Sequence, residues 1–181
     1  RRPGTIGVPF PSTEMRVVDI EDGKTDVEQG SQGELLLRGP QVFQGYWNNP
    51  EASKQVLDDG WLHTGDVVVV DEDGFTKIVD RKKEIIITGG FNVSPTEVEH
   101  VLAEHPEIEE VAVFGVPRES GDERVAAAVV TTSGKHIEPE ELRGFAKEKL
   151  TGYKVPRYFV FVDELPRNGM GKVLRGEVRK L

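Results

Sequence analysis

The eighteen residues from Asp80 to Glu97, D-R-K-K-E-I-I-I-T-G-G-F-N-V-S-P-T-E, constrain the fold of this chain more than any other stretch. Five charged residues (Asp80, Arg81, Lys82, Lys83, Glu84) run straight into the β-branched Ile85–Ile87. Charge favours solvent and an isoleucine run favours a buried strand, so the chain must pass from surface to core within a residue or two. A Gly-Gly pair then supplies a flexible turn. Ser94-Pro95-Thr96-Glu97 follows as a capping box, with proline at the first helical position. The Ser hydroxyl takes one orphan N–H of the first turn and the Glu side chain reaches back for another. Charge, strand, turn and capped helix in succession read as a junction between two domains. The alternative is a solvated loop feeding an ordinary strand.

The texture differs on the two sides of this stretch. Upstream, strands alternate with turns. Glu14–Ile20 alternates, placing Met15, Val17 and Asp19 on one face and Arg16, Val18 and Ile20 on the other, and Asp22-Gly23 turns the chain. Glu34–Arg38 is a second strand, stopped by Gly39-Pro40. A short helix starts at Asn49-Pro50 and carries Ala52, Val56 and Leu57. Val67–Val70 and Phe75–Val79 form a hairpin about Asp71-Glu72-Asp73-Gly74. Downstream, strand and helix alternate. The capped helix buries Val98, Val101 and Leu102 and ends at His105-Pro106. Strands follow at Glu110–Val116 and Val125–Thr131, the latter apolar enough for burial on both faces. A helix over 139–150 sets Leu142, Phe145, Ala146, Lys149 and Leu150 on one stripe, with Gly152 as its C-cap. Tyr158–Val162 is the last strand. The class is α+β.

A chain of 181 residues has room for one good-sized domain or two small ones. Its net charge of −9 argues against a nucleic-acid surface, which needs a surplus of Lys and Arg. The absence of cysteine excludes disulfides, thiolate zinc sites and a cysteine nucleophile, so any thiol chemistry needs a thiol from outside. No metal site is read from the sequence. No apolar run reaches the ~18 residues of a membrane span, and Arg1-Arg2-Pro3-Gly4 is no signal peptide. The expected compartment is the cytoplasm.

Three segments hold residues suited to chemistry. Trp61-Leu62-His63-Thr64-Gly65-Asp66 precedes the hairpin, and Asp66 either presents its carboxylate to a pair of ligand hydroxyls or caps a turn. The aromatics of Gly39–Trp47 are either core or a binding edge. Near the chain end, Pro166-Arg167-Asn168-Gly169-Met170-Gly171-Lys172 holds a glycine-flanked lysine on a mobile loop. Such a lysine is either solvated or delivered to an anion as a point charge. At ~4 Å and an effective dielectric near 20 the attraction is about 4 kcal/mol before desolvation. No phosphate-cradling glycine loop accompanies it.

Six segments in order, G-E-L-L-L-R-G-P (33–40), G-Y-W-N-N-P (45–50), W-L-H-T-G-D (61–66), D-R-K-K-E through V-E (80–99), Y-K-V-P-R (153–157) and L-P-R-N-G-M-G-K (165–172), carry a resemblance. The chain resembles the C-terminal part of the adenylate-forming acyl-CoA synthetases, relatives of luciferase and of peptide-synthetase adenylation domains. The resemblance implies a β-rich end of a large AMP-binding domain over 1–80, a hinge at 81–83, and a small α+β lid with a mixed sheet over 84–181. It implies that Asp66, helped by Arg81, binds the ATP ribose and that Lys83 is the hinge. Gly89 and Gly90 would face the coenzyme A channel, and Lys172 would be the adenylation lysine. Glu34 and Trp47 would be structural. ATP, Mg2+, coenzyme A and a carboxylic acid, expected to be a fatty acid, would serve the full-length enzyme. None of them is expected to bind this piece tightly, because the large domain's phosphate loop and acyl pocket have no counterpart here. The chain is then a C-terminal fragment, inactive without the N-terminal large domain. The competing reading is a non-catalytic lid-fold module that binds a carrier or partner protein.

Overall fold

The computed structural model describes residues 2–132 and 135–181. The chain divides into two compact units, Arg1–Lys83 and Glu84–Leu181.

The first unit is an antiparallel sheet with one short helix. Its strands are β1 (Glu14–Val18), β2 (Gly33–Arg38), β3 (Leu57–Asp58), β4 (Trp61–Val70) and β5 (Thr76–Arg81). Strand β4 is central: β2 lies along one edge, with β1 beyond it, and β3 and β5 pair along the other. Val18, Ile20, Leu35, Leu36, Val67 and Val68 are buried and form its core. Gly33 is required where β2 meets β1, because a Cβ there would lie 2.4 Å from the Val18 carbonyl oxygen. Local signals set the connections. The Asp71 carboxylate accepts from Asp73 N at 3.0 Å and Phe75 N at 2.9 Å, closing the β4–β5 turn. Asn49 caps α1 (Pro50–Val56) by accepting from Ala52 N at 3.1 Å.

Two expectations fail in this unit, and a third is decided between its alternatives. Trp61–Asp66 does not precede the hairpin but forms the first part of β4, which is 10 residues long. Leu57 leaves the helix and starts β3, in register with Leu62. Trp47 is 92% exposed, with Tyr46 at 52% and Phe43 at 37%, so these aromatics form a surface edge and Trp47 has no role in the core.

The second unit begins with a hairpin, β6 (Ile86–Thr88) and β7 (Phe91–Val93), followed by α2 (Pro95–Leu102). A mixed three-stranded sheet comes next, ordered β10-β9-β8. In it β8 (Ile108–Pro117) runs antiparallel to β9 (Glu123–Thr131), and β10 (Tyr158–Phe161) runs parallel to β9. Helices α3 (Pro139–Lys149) and α4 (Arg175–Val178) complete it.

The pleat sorts the core onto two faces. Val113, Val125, Ala127 and Val129 pack with Ile86 and Val93 of the hairpin, Val98 and Leu102 of α2, and Leu142 and Ala146 of α3. Ala112, Phe114, Ala126, Ala128 and Val130 pack with Leu165 and Val178 of the C-terminal segment. Strand β9 is therefore buried on both sides, which its unbroken run of small apolar residues anticipates.

Strand β7 and helix α4 are additions to the sequence reading, each too short to generate a periodic signal. Phe145 is only half-buried. Gly152 is no C-cap: α3 ends at Leu150 in extended conformation (φ −118, ψ 147), and Gly152 lacks a positive φ. No helix among the described residues is long and apolar enough to cross a membrane.

Candidate functional site

In the first unit, Asp66 and Arg81 stand directly opposite each other in the β4–β5 ladder, next to a register shift. Arg81 Nη1 forms an ion pair with Asp66 Oδ1 at 2.8 Å, with side-chain exposures of 52% and 22%. The preceding residues set this geometry. Gly65 takes φ +69, and its N–H donates to Glu34 Oε1 at 3.3 Å. The Thr64 hydroxyl donates to Leu35 O at 2.8 Å and accepts from Asp66 N at 3.1 Å.

Glu34 organises the surroundings. It is 2% exposed, accepts from Lys82 Nζ at 2.8 Å and faces His63 Nδ1 at 3.4 Å. A buried carboxylate persists only where donors compensate its desolvation, and here an ammonium and a backbone N–H do so. A cavity of about 610 Å3 opens beside it, lined in part by Phe43, Tyr46, His63, Gly65, Arg81, Lys82 and Lys83. Lys82–Glu84 form one turn of 3-10 helix, and the Lys83 side chain is exposed.

In the second unit, Gly89 and Gly90 are the two-residue loop between β6 and β7, with Thr88 and Phe91 paired beneath them. Both have positive φ, +57 and +79. That is the loop whose twist matches a hairpin, and it favours glycine. Gly89 N donates to Asp122 Oδ2 at 3.2 Å. The Asp122 carboxyl is held below its usual range, chiefly by the Ser120 hydroxyl, with Gly89 N–H and Arg118 adding to the effect against some desolvation.

Beside this loop lies a cavity of about 460 Å3. Gly89, the Phe91 and Tyr153 rings and the arginines Arg118, Arg124 and Arg157 contribute to its lining. The two rings stack at 4.3 Å with 15° between their planes. A flat aromatic pair flanked by guanidinium groups suits a planar, anionic ligand. Phe91, Tyr153 and Arg157 stand in the sequence only as members of longer motifs, and nothing in the local pattern marks Arg118 or Arg124. These residues lie far apart along the chain and share no local pattern.

Lys172 sits on a hairpin that is closed by its own hydrogen bonds rather than loosened by its glycines. Asn168 N donates to Lys172 O at 2.9 Å, and the Asn168 carboxamide oxygen accepts from Met170 N and Lys172 N, both at 3.0 Å. Of its two glycines only Gly171 takes a positive φ, +80. Lys172 is exposed, and no carboxylate lies within ion-pair distance of it among the described residues. Neighbouring cations are paired: Arg167 with Glu110 at 2.5 Å, and Arg175 with Glu84 at 2.5 Å and Glu99 at 2.6 Å. Asp66, Arg81 and Lys83 thus belong to the first unit, and Gly89, Gly90 and Lys172 to the second.

Residues 1–47 match the AMP-binding enzyme family, and residues 97–172 match the AMP-binding enzyme C-terminal domain. The chain belongs to the AMP-binding enzymes. It is 52% identical over 176 residues to a long-chain-fatty-acid–CoA ligase of Yersinia pestis and 50% identical over 176 residues to that of Escherichia coli O157:H7. Each match covers 97% of this chain and 31% of the relative. Among solved structures, ATP-bound MatB from Rhodopseudomonas palustris is similar with a TM-score of 0.88 at 39% identity, over 99% of this chain and 36% of that one. The chain spans about a third of the length of the curated relatives it matches.

Proposed function

We propose that this chain supplies the lid and the adenylation lysine of an AMP-forming acid–thiol ligase whose acid is a long-chain fatty acid. In the first half-reaction a carboxylate oxygen attacks the α-phosphorus of ATP. Pyrophosphate leaves and an acyl-adenylate remains. In the second, the thiolate sulfur of coenzyme A attacks the acyl carbon, and AMP leaves with the bonding pair.

Within this scheme the Asp66 carboxylate holds the ribose hydroxyls, and Arg81 keeps that carboxylate oriented. Lys172 stands between the substrate carboxylate and the α-phosphate, where its charge offsets the negative charge that gathers as the two anions approach. Lys83 is the pivot between the two units and absorbs the backbone change when the lid turns. Gly89 and Gly90 then border the thiol's approach. Mg2+ enters with the ATP phosphates, and no residue of this chain is assigned to it. The phosphate loop and the acyl pocket come from a large domain outside these residues, so the chain alone is expected to be inactive.

The observation that carries this reading is Lys172: an exposed ammonium with no carboxylate partner among the described residues, held on a closed hairpin whose neighbouring cations are all paired. The test is Lys172→Ala in the full-length ligase. Carboxylate-dependent ATP–pyrophosphate exchange should fall by a factor of several hundred, the equivalent of about 4 kcal/mol. Thioester formation from supplied acyl-adenylate should persist. Unimpaired exchange refutes the assignment. The competing module reading is tested by titrating the 181-residue chain with coenzyme A or a carrier protein. Tight, specific binding without the large domain would favour it.

A further inference from the structure

The cation nearest Lys172 that is itself sequestered is Arg175. Its side chain is 25% exposed, and its guanidinium forks between two carboxylates from distant parts of the second unit. Nη1 donates to Glu84 Oε2 at 2.5 Å, while Nε and Nη2 donate to the two oxygens of Glu99 at 3.2 and 2.6 Å. Glu84 is the residue immediately after Lys83, and Glu99 lies on α2. The Glu99 Oε1 atom also accepts from Val113 N at 2.8 Å, which ties the cluster to β8. Burial disfavours the Arg175 charge, but the bonds to Glu99 and Glu84 outweigh it and raise its pKa above the ordinary value.

The other limb of the Lys172 hairpin is fastened in the same way. Arg167 donates to Gly171 O at 2.6 Å and to Glu110 on β8 at 2.5 Å. Leu174 N donates to Pro166 O at 2.8 Å, closing the base, and Val178 of α4 is fully buried under it. On the far side of Lys83, Arg81 is held by Asp66 and Lys82 by Glu34. Every charged neighbour of Lys83 from Arg81 to Glu84 is thus held within its own unit. The Lys83 side chain is the member of this run with no ion-pair partner among the described residues.

Resting on the reading of Lys172 given above, we propose that Arg175 is a positioning residue that locks the Lys172 hairpin to Glu84. A rotation about Lys83 then carries the lysine as part of one rigid body. A hairpin attached only through its two chain ends would lag behind the rotation or fray. A guanidinium that bridges Glu84 and Glu99 fixes the lysine's place relative to the pivot. The planar fork matters here, because a single ammonium cannot serve both carboxylates with the same geometry.

Two measurements test this. In the 181-residue chain, hydrogen exchange should accelerate about tenfold at the Asn168, Lys172 and Leu174 amides in Arg175→Met and in Glu84→Gln, with the Ala127 amide of β9 unchanged. In the full-length ligase, Arg175→Met should lower ATP–pyrophosphate exchange at least tenfold, mostly in kcat. Thioester formation from supplied acyl-adenylate should stay within twofold, and Arg175→Lys should recover only part of the loss. Unchanged exchange at Asn168 and Lys172 overturns the proposal. So does an equal fall of both half-reactions together with the melting temperature, which marks a purely structural role. If Lys172→Ala itself leaves ATP–pyrophosphate exchange intact, the reading of Lys172 is what fails, and the amide exchange alone decides whether Arg175 braces the hairpin.

Discussion

Gly90→Ala isolates the energy of one backbone conformation. Gly90 has φ +79, and a Cβ built on it meets no heavy atom within 4 Å. The substitution therefore creates no overlap, and its whole cost is that of holding an L-residue in the left-handed region, about 1–2 kcal/mol. That corresponds to roughly a tenfold shift toward the unfolded state. Asparagine visits this region more readily, so Gly90→Asn should lose about half as much or less. Gly152 is the control: its surroundings are equally open, but its φ is not in the left-handed region. Gly152→Ala should be neutral or stabilise by up to about 1 kcal/mol, because alanine narrows the unfolded ensemble. Equilibrium urea unfolding of the second unit, followed through the Ala127 and Val129 amide resonances, measures all three. Tryptophan fluorescence reports on the first unit instead, since Trp47 and Trp61 both precede Glu84. If Gly90→Ala were as stable as the parent, or alanine and asparagine cost the same, the turn assignment would be wrong.

Other perturbations follow from the same packing. Leu142 is fully buried between α3 and the sheet, so Leu142→Ala should destabilise the second unit by about 3 kcal/mol and Leu142→Met by less than about 1.5 kcal/mol, read from urea midpoints. Glu34→Gln removes the carboxylate that Lys82 and Gly65 N share and should cost the first unit about 1–3 kcal/mol, seen as an earlier fluorescence transition. The Asp22 carboxyl is lowered to about 2, first by the Thr25 hydroxyl and then by the Thr25 and Lys24 N–H groups. A depressed carboxylate stabilises its turn above its unfolded pKa and loses that contribution as pH falls through the folded value. The Thr25 and Lys24 amide shifts should therefore titrate near pH 2, and a midpoint near 4 would show that the turn's hydrogen bonds do not form in solution.

Several elements were determined by neighbouring residues alone and could be read from the sequence. Asn49-Pro50 and Ser94-Pro95 start helices because a side-chain oxygen three residues from a free N–H is a local fact. Asp71–Gly74 turns the chain for the same reason, and the run Val125–Val130 is apolar enough to require burial on both faces. Asp66 was singled out by type and place, and Arg81 by the family resemblance. Their 2.8 Å pairing, however, depends on the β4–β5 register.

What only the tertiary structure decided is which distant groups meet. Trp47 and Glu34 invert the usual expectation: the tryptophan is exposed and the glutamate buried, because Lys82 and Gly65 N compensate the carboxylate while no described residue of the first unit covers the ring. The Phe91–Tyr153 stack, and the fork of Arg175 onto Glu84 and Glu99 at separations of 91 and 76 residues, leave no trace in local pattern. Hydrophobic periodicity and capping act within a turn or two of the chain, whereas ion pairs and ring stacks depend on where β8, α2 and the C-terminal hairpin come to rest. Sequence alone therefore determined that Lys172 sits beside glycines near the chain end. The fold decided that it stands exposed and unpaired among the described residues, on a hairpin braced on both limbs.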